Sequence, residues 1–178
     1  MSLEIEAKIR VADLKTIAER LTALHAALKD TVQEDDIYFD NVSIELIQRD
    51  CGLRLRKRLS DKQPPQIVLT YKGPRQKSAF KSRSEYQIQV QDGDTLVTIF
   101  EHLGFRESLR VIKTRQLWQL GECEICLDEV YQLGLFVEVE GPSETAIQSI
   151  LDKLGLNPAN HISDGYARMM AARLNPGK

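Results

Sequence analysis

The sequence predicts a single α+β domain built around an antiparallel sheet. Segments that alternate apolar and polar residues outnumber segments of helical period by about two to one. The connections between them are short, and Pro64-Pro65, Gly73-Pro74 and Gly141-Pro142 mark turns, not a linker between domains. A chain of 178 residues can bury a core of its own without disulfides. We expect one domain over residues 1–174, followed by a flexible tail at 175–178.

The first two elements are the clearest. Residues 3–11 alternate strictly, which predicts a strand with one apolar and one charged face. Asp13 is placed to cap a helix, and apolar residues then recur at spacings of three and four. These residues are Leu14, Ile17, Leu21, Leu24 and Leu28. The pattern predicts a helix that reaches Leu28.

The remaining elements are predicted in the same way. The strands are predicted at residues 36–39, 52–59, 66–72, 83–91, 111–120, 122–127 and 136–140. Helices are predicted at residues 94–103, 143–154 and about 164–174. Most strands keep one apolar face, so we expect the helices to pack against those faces.

Composition narrows the functional classes. A net charge of −2 gives no overall attraction to nucleic acid or to an anionic membrane. The N-terminus has no apolar signal region and no apolar run is long enough to span a membrane, so a cytoplasmic protein is expected. Cys123 and Cys126 form a CxxC, but their odd spacing in a strand puts the two thiols on opposite faces. A zinc or redox site is therefore not expected.

The polar faces of several strands carry charges of one sign. Residues two apart on a strand face lie roughly 7 Å apart, so like charges there repel unless an opposite charge lies between them. The same-sign neighbours are Glu4 and Glu6, Arg54, Arg56 and Arg58, Lys113 and Arg115, and Glu138 and Glu140. These faces either point to solvent or face one another across a barrel. Acidic strands facing basic strands would suit a complex of Mg²⁺ with a triphosphate.

A set of short motifs favours the second alternative. Glu4-Ile-Glu6-Ala-Lys8 matches the ExExK pattern of the CYTH superfamily, which includes class IV adenylate cyclases and several triphosphatases. Further motifs of that family follow in the family's order over nearly the whole chain. They are DIYFD from Asp36, LRLRK from Leu53, LTYKGP from Leu69, RSE from Arg83, VIKTR from Val111 and LDEVYQLGLFVEVEG from Leu127. The chain resembles this superfamily.

The resemblance implies a closed eight-stranded antiparallel barrel that forms a tunnel, with helices packed outside. It implies Mg²⁺ or Mn²⁺ as cofactor, with carboxylate ligands at Glu4, Glu6, Glu85, Asp128, Glu138 and Glu140. It implies phosphate contacts from Lys8, Arg54, Arg56, Lys72, Arg83, Lys113 and Arg115, and catalytic roles for Lys8 and Asp128. The chain departs from the family pattern at Gln87, where an acid is common, and at Gly165-Tyr166, where Ser-Tyr is common.

Three functions stay open at this point. The first is a class IV adenylate cyclase that converts ATP to cyclic AMP and pyrophosphate, and the similarity of DIYFD, LTYKGP and LDEVYQLG to sequences grouped with these cyclases favours it. The second is a triphosphatase acting on tripolyphosphate, thiamine triphosphate or a nucleoside triphosphate. The third is a non-catalytic module that binds polyphosphate or RNA. For the enzymes we expect a small triphosphate as partner, no nucleic acid and no membrane, and a homodimer is compatible with this. Head-group contacts are expected from Tyr38, Phe39 or the loop at 60–66.

Overall fold

Eight strands account for nearly half of the chain. The computed structural model describes residues 2–76 and 79–174, with side chains from Ile5 onward, so the tail expected at 175–178 lies outside the described residues. The strands are β1 Ser2–Val11, β2 Ala27–Asp40, β3 Gly52–Ser60, β4 Gln66–Gln76, β5 Lys81–Gln89, β6 Arg106–Leu120, β7 Cys123–Val130 and β8 Gly134–Glu140.

The strands form a closed barrel in the order β1-β5-β4-β3-β2-β6-β7-β8. Every neighbouring pair is antiparallel, including β1 with β8, which closes the sheet. Closure gives each of the eight described strands a neighbour on both sides. The barrel implied by the family resemblance is confirmed.

Four α-helices lie around this barrel. They are α1 Lys15–Ala23, α2 Gly93–His102, α3 Glu144–Lys153 and α4 Tyr166–Leu174, and a short 3-10 helix spans Pro158–Asn160. The last three α-helices begin and end within two residues of their predicted bounds. In the described part of the chain, no helix is long and apolar enough to cross a membrane.

The first helix is shorter than predicted. Asp13 begins it as expected, because its carboxylate accepts from the backbone N–H groups of Lys15 at 3.0 Å and Thr16 at 2.8 Å. The helix ends at Ala23, since His25 takes a left-handed conformation with φ of 57°. Leu28 therefore lies on β2 and is 45% exposed, and the predicted extension of the helix to Leu28 was wrong.

Strand β2 also begins well before residue 36, where the sequence predicted it. Its inward positions include Asp30 and Glu34, both buried, so the segment shows no alternation of apolar and polar residues. Strand β6 likewise begins at Arg106 and not at 111, and it pairs with β2 along nearly its whole length. Because the barrel interior is charged, such strands lack the alternation of apolar and polar residues from which a strand is predicted.

The main apolar core lies outside the barrel wall. Helices α1 and α3 pack on the outward faces of β1, β7 and β8. Leu21 of α1 and Leu151 of α3 are fully buried there, together with Ile125, Val137 and Val139 of the sheet. Because alternate residues of a strand point to opposite faces, these apolar residues direct their charged neighbours into the barrel.

Helix α4 lies across one end of the barrel, where it packs on apolar residues of the inward face. Tyr166 and Met170 are buried in a second apolar cluster with Val111, Val130 and Phe136. Those three residues lie two positions from Lys113, Asp128 and Glu138, so they share the inward face with them. Helix α4 therefore covers one end of the barrel, which we call the α4 mouth. At the other end, the acidic mouth, Glu140 pairs with Glu6 of β1 and Glu124 of β7 in register.

The revised end of α1 gives a prediction for stability. Leu21→Ala removes a fully buried side chain and should lower the free energy of unfolding by about 2–5 kcal/mol. Leu28→Ala should cost far less, because Leu28 is 45% exposed on β2. Urea unfolding of both variants checks this. Equal losses would mean that Leu28 belongs to the buried face of a longer helix.

Candidate active site

A cavity of about 460 Å³ occupies the barrel, and charged side chains from all eight strands line it. It brings together nearly all the residues that the sequence singled out. These are Glu6, Lys8, Arg54, Arg56, Lys72, Arg83, Glu85, Lys113, Arg115, Glu138 and Glu140. Two predicted residues differ: Asp128 is buried behind the lining, and Glu4 is described only as a backbone position of β1 opposite Arg83. The charged faces thus point inward and not to solvent.

An inner ion cluster, formed by Glu34, Asp36, Arg56, Arg58 and Lys113, fills part of the barrel wall. Arg56 binds Asp36 through two hydrogen bonds, from Nε at 2.6 Å and from Nη2 at 2.8 Å. Its Nη1 donates to Glu34 at 2.9 Å. Arg58 and Lys113 also contact Glu34, at 2.6 Å and 2.8 Å. Buried like charges are tolerated here because each has partners of the opposite sign.

The electrostatic field of the inner ion cluster keeps its acids charged. Burial alone would raise the pKa of Glu34, but Arg56 and Lys113 outweigh burial and hold that pKa well below its ordinary value. Asp36 behaves in the same way, since Arg56 and Arg54 lower its pKa against the effect of burial. Burial and the neighbouring Arg56 lower the pKa of Lys113. Both carboxylates are therefore anions at neutral pH.

A second group of ionic contacts centres on Asp128. Its two oxygens accept from Arg115, from Nε at 2.6 Å and Nη2 at 2.5 Å, and Oδ2 also accepts from the hydroxyl of Tyr166 at 2.7 Å. Arg115 Nη2 contacts Glu138 as well. Burial and the carboxylates of Glu138 and Asp128 raise the pKa of Tyr166, so it stays a neutral donor. This geometry favours Asp128 as the residue that positions Arg115, and its catalytic and metal roles stay predictions.

Lys8 is 1% exposed and points into the same region. Its Nζ lies 3.3 Å from Oε1 of Glu138 and donates to the carbonyl of Asp164 at 3.0 Å. The ammonium also lies 4.1 Å from the ring centroid of Tyr166, a cation–π contact. These contacts fix the position of its charge at the boundary between the ionic cavity and the apolar cluster under α4.

The carboxylates predicted to bind metal lie on neighbouring strands. Glu6 pairs with Lys81, and Glu138 lies on the adjacent β8 with Lys8 and Arg115 beside it. Among the described residues, no three His, Cys, Asp or Glu side chains converge on one point. Mg²⁺ commonly takes one or two carboxylates and completes its shell with phosphate oxygens and water. Two buried hard-oxygen donors facing one cavity fit that mode.

Glu85 has a different environment. It accepts from Lys72 and, at 2.9 Å, from the side-chain amide of Gln87. The departure from the family pattern at position 87 thus replaces a carboxylate with a donor that can hydrogen-bond to Glu85. A second acid at this position would repel Glu85 instead.

Two arginines have spare hydrogen-bonding capacity. The Nε atoms of Arg54 and Arg83 are buried, and within the described residues neither has a hydrogen-bond partner. The other contacts of Arg54 are long, 3.3 Å from Nη2 to Thr70 and 3.7 Å from Nη1 to Asp36. Arg83 Nη2 lies 3.6 Å from Asp50. Buried donors without acceptors are costly, so this pair is suited to an anion with several oxygens.

Several residues of the candidate site were not predicted from the sequence. Asp36 lies within the DIYFD motif, and Glu34 shares its strand face, but β2 was predicted too short to show this. Lys81, the partner of Glu6, lies two residues before Arg83 on the same face of β5, ahead of the predicted start of that strand. Tyr166 was noted without a role, because no sequence signal places α4 inside the barrel end.

The separation of the two cysteines was predicted correctly. Cys126 lines the cavity, whereas Cys123 packs in the outer apolar core. Burial raises the pKa of the Cys126 thiol well above its ordinary value, so it is an uncharged part of the lining.

Comparisons with known proteins agree with these motifs. The family model of the CYTH domain matches residues 2–166. A protein of Methanocaldococcus jannaschii that carries a provisional adenylate cyclase name is 30% identical over 138 residues, which is 78% of this chain and 76% of that protein. The adenylate cyclase CyaB of Aeromonas hydrophila is 27% identical over 175 residues, 92% of this chain and 86% of that protein.

Solved structures share the same fold. A protein of Pyrococcus horikoshii superposes with a TM-score of 0.84 at 27% identity, over 96% of this chain and 99% of that one. A protein from Hippeastrum, described as an adenylyl cyclase candidate with a dominant triphosphatase activity, has a TM-score of 0.65 at 17% identity. That match covers 97% of this chain and 96% of that one, and it shows similarity of fold.

The inner ion cluster predicts how stability depends on pH. A lowered carboxyl pKa stabilises the fold above the ordinary pKa, and that contribution is lost as the pH falls. Stability should therefore decline as the pH drops below about 4.5, the ordinary value for Glu34, and past 3.8, that for Asp36. Urea midpoints measured from neutral to acid pH check this.

The variant Asp36→Asn isolates the contribution of the inner ion cluster to the pH dependence of stability. It should lower the free energy of unfolding at neutral pH by about 3–5 kcal/mol and flatten the acid dependence, because Arg56 loses one of its two buried carboxylate partners. Asp35→Asn is the matched control, since Asp35 pairs with the half-exposed Arg110 on the outer face. If both variants behaved alike, the buried cluster would not govern the acid response.

Proposed function

The chain belongs to the CYTH domain family, and from this premise we propose that it is a class IV type adenylate cyclase. In this proposal ATP binds in the barrel cavity together with Mg²⁺ or Mn²⁺ and is converted to cyclic AMP and pyrophosphate. The relatives from M. jannaschii and A. hydrophila, both named as adenylate cyclases, support this choice of reaction.

The observation that carries the proposal is the weak internal pairing of Arg54 and Arg83. Within the described residues neither Nε has a hydrogen-bond partner, and the nearest carboxylates lie 3.7 Å and 3.6 Å from their Nη atoms. Both side chains are 8% exposed and face the same cavity from β3 and β5, on either side of β4. A triphosphate offers oxygens along its chain that can accept from both. Charge-assisted hydrogen bonds of this kind are about twice as strong as neutral ones. The cavity is thus short of anionic acceptors at the positions where the family binds phosphate.

The other cations are held in place by acids. Asp128 orients Arg115, the inner ion cluster fixes Arg56 and Lys113, and the carbonyl of Asp164 fixes the ammonium of Lys8. Such fixed charges stabilise developing negative charge without reorganising at the moment of reaction. In the cyclase reaction this charge develops on the leaving pyrophosphate as the ribose 3′-oxygen forms its bond to the α-phosphorus. The protein contributes mainly position and charge.

The buried carboxylates that face the cavity support a role for a divalent cation. Glu6 and Glu138 would hold it, with Glu4, Glu85, Glu140 and Asp128 as further predicted ligands. When bound, the cation would neutralise phosphate charge and polarise the phosphoryl group. The ammonium groups beside Glu6 and Glu138 would then be released toward the phosphates, which couples binding of the cation to binding of the substrate.

A triphosphatase is the second candidate. The same cavity-facing cations would serve hydrolysis, since water must only reach the terminal phosphorus. We call them the clamp: Lys8, Arg54, Arg56, Arg83, Lys113 and Arg115. Glu124 and Glu140 at the acidic mouth are exposed and line the cavity, so solvent enters from that end. The dominant triphosphatase activity of the Hippeastrum protein supports this candidate at the level of fold.

A non-catalytic binder is less well supported. The carboxylates of Glu6 and Glu138 would weaken simple capture of polyphosphate. Arg54 and Arg56 lie inside a closed barrel, so their guanidinium groups are not presented to a nucleic acid duplex. A homodimer stays a prediction.

The clamp predicts a selective loss of activity. Arg54→Ala or Arg83→Ala should lower kcat/KM for ATP by about ten- to a hundredfold, as expected for one lost charge-assisted contact. Thermal stability should change little by comparison, because the contacts that are lost are long, at 3.3 Å and 3.7 Å for Arg54 and 3.6 Å for Arg83. Steady-state rates and melting temperatures check this. Lys57→Ala, from the exposed outer face of β3, is the control and should leave both quantities unchanged.

The reaction itself is tested by identifying products. With ATP and Mg²⁺ we expect cyclic AMP and pyrophosphate in equal amounts, no turnover of 3′-deoxy-ATP, and no activity in excess chelator. Chromatography of the products checks all three. Release of phosphate from tripolyphosphate that greatly outpaces cyclic AMP formation would replace the cyclase with the triphosphatase. Undiminished activity in chelator would reject metal dependence.

A further inference from the structure

We propose that the α4 mouth is a head-group subsite that holds the base of a nucleoside triphosphate. Its two walls are helix α4 and the segment at 41–51, which connects β2 to β3. This inference rests on the proposed function, since it assumes that the phosphates lie against Arg54 and Arg83. The inference goes beyond that function by assigning the base of the substrate to one end of the cavity.

The cavity changes in character along its axis. Toward the acidic mouth its lining is charged, with Arg58, Glu124 and Glu140. Toward the α4 mouth the lining gains an apolar set, contributed by Tyr38, Ile47, Leu53, Leu109, Ala171 and Leu174. The charged residues that line the same end, Asp50, Arg75 and Arg168, are paired with one another or with Asp164. An apolar end joined to a cationic middle matches a molecule with a flat, apolar head and an anionic tail. Bare tripolyphosphate would leave the apolar end without a partner.

Two residues at the α4 mouth expose apolar surface. Ile47 is 61% exposed and Leu174 is 56% exposed, and both line the cavity. A base placed between them would remove that surface from water, which is favourable by about 25 cal/mol per Å². The hydroxyl of Ser108 also lines the cavity and donates to the carbonyl of Tyr38 at 3.0 Å, so its lone pairs are left to accept from a base.

The two walls are tied to one another. Asp50, at the end of the 41–51 segment, accepts from the backbone N–H of Arg75 at 3.0 Å and from its Nε at 2.8 Å. Arg75 Nη1 donates to Asp164 at 3.3 Å, just before α4 begins. The carboxylate of Asp40 anchors the start of the segment by accepting from the N–H of Leu46 at 2.8 Å. The subsite is therefore preformed, which lowers the cost of binding.

The sequence offered two places for head-group contacts, and the structure separates them. Tyr38 lines the apolar end of the main cavity. From the loop at 60–66, Ser60, Gln63, Pro64 and Gln66 instead border a separate cavity of about 130 Å³, and among the described residues none of this loop lines the main one. The α4 mouth is thus the end of the main cavity at which a base would be received.

Binding measurements on four proteins test the subsite. The probes are tripolyphosphate and α,β-methylene-ATP, whose bridging carbon prevents loss of pyrophosphate, each titrated calorimetrically in Mg²⁺. The wild type should bind the nucleotide more tightly than tripolyphosphate. Ile47→Ala should weaken the nucleotide by about three- to tenfold and leave tripolyphosphate unchanged. Val42→Ala is the matched control, since Val42 is 93% exposed on the same segment and is not among the described lining residues.

Arg54→Ala separates failure of the subsite from failure of the proposed function. It should weaken both ligands, because both carry the phosphate chain. If Arg54→Ala behaves so but Ile47→Ala leaves the nucleotide unchanged, or weakens both ligands equally, the subsite is refuted and the clamp stands. If neither ligand binds the wild type, both the clamp and the subsite are refuted.

Discussion

The structure depends on pairing buried charges inside a closed barrel. The contact between Arg56 and Asp36 shows the constraint most clearly, since both side chains are almost fully buried and each oxygen of Asp36 accepts a hydrogen bond from Arg56. An isolated charge in that position would be prohibitively costly, whereas a paired one is tolerated. Because the partners come from different strands, the pairing requires the register that the barrel imposes. Charge and fold therefore constrain each other.

The charged barrel interior is compatible with a large apolar core because that core lies outside the barrel wall. Helices α1 and α3 bury the outward face of β1, β7 and β8, so hydrophobic burial does not compete for the interior. Strand alternation then makes the two faces independent: Val137 and Val139 belong to the core while Glu138 belongs to the cavity. Only α4 breaks the division, by inserting Tyr166 into the barrel end. Tyr166 connects the apolar cluster at that end to Asp128 through its hydroxyl and to Lys8 through its ring.

Sequence patterns predicted the elements whose inward and outward faces differ in polarity. Strands such as β1, β3 and β8 alternate apolar and charged residues, so both their position and their inward residues could be predicted. Strand β2 could not, because residues 27–35 carry polar groups on both faces and its first leucine continues the stripe of α1. The role of Tyr166 also depends on long-range packing, since nothing local distinguishes α4 from a helix on the outer wall. Motif resemblance supplied the closure of the barrel, which periodicity alone left open.

The distribution of acids explains where an anion can bind among so many cations. Glu34 and Asp36 already satisfy Arg56, and Asp128 satisfies Arg115, so a phosphate there would compete with an internal carboxylate. Arg54 and Arg83 are paired more weakly: their carboxylate partners Asp36 and Asp50 lie at 3.7 Å and 3.6 Å, and among the described residues neither Nε has an acceptor. The wall between β3 and β5 is therefore the most receptive region. A barrel lined only with arginines would repel itself and bind anions without selectivity. The internal acids thus pair with some cations of the barrel and not with others, and the less occupied wall is the one at which the proposed substrate would bind.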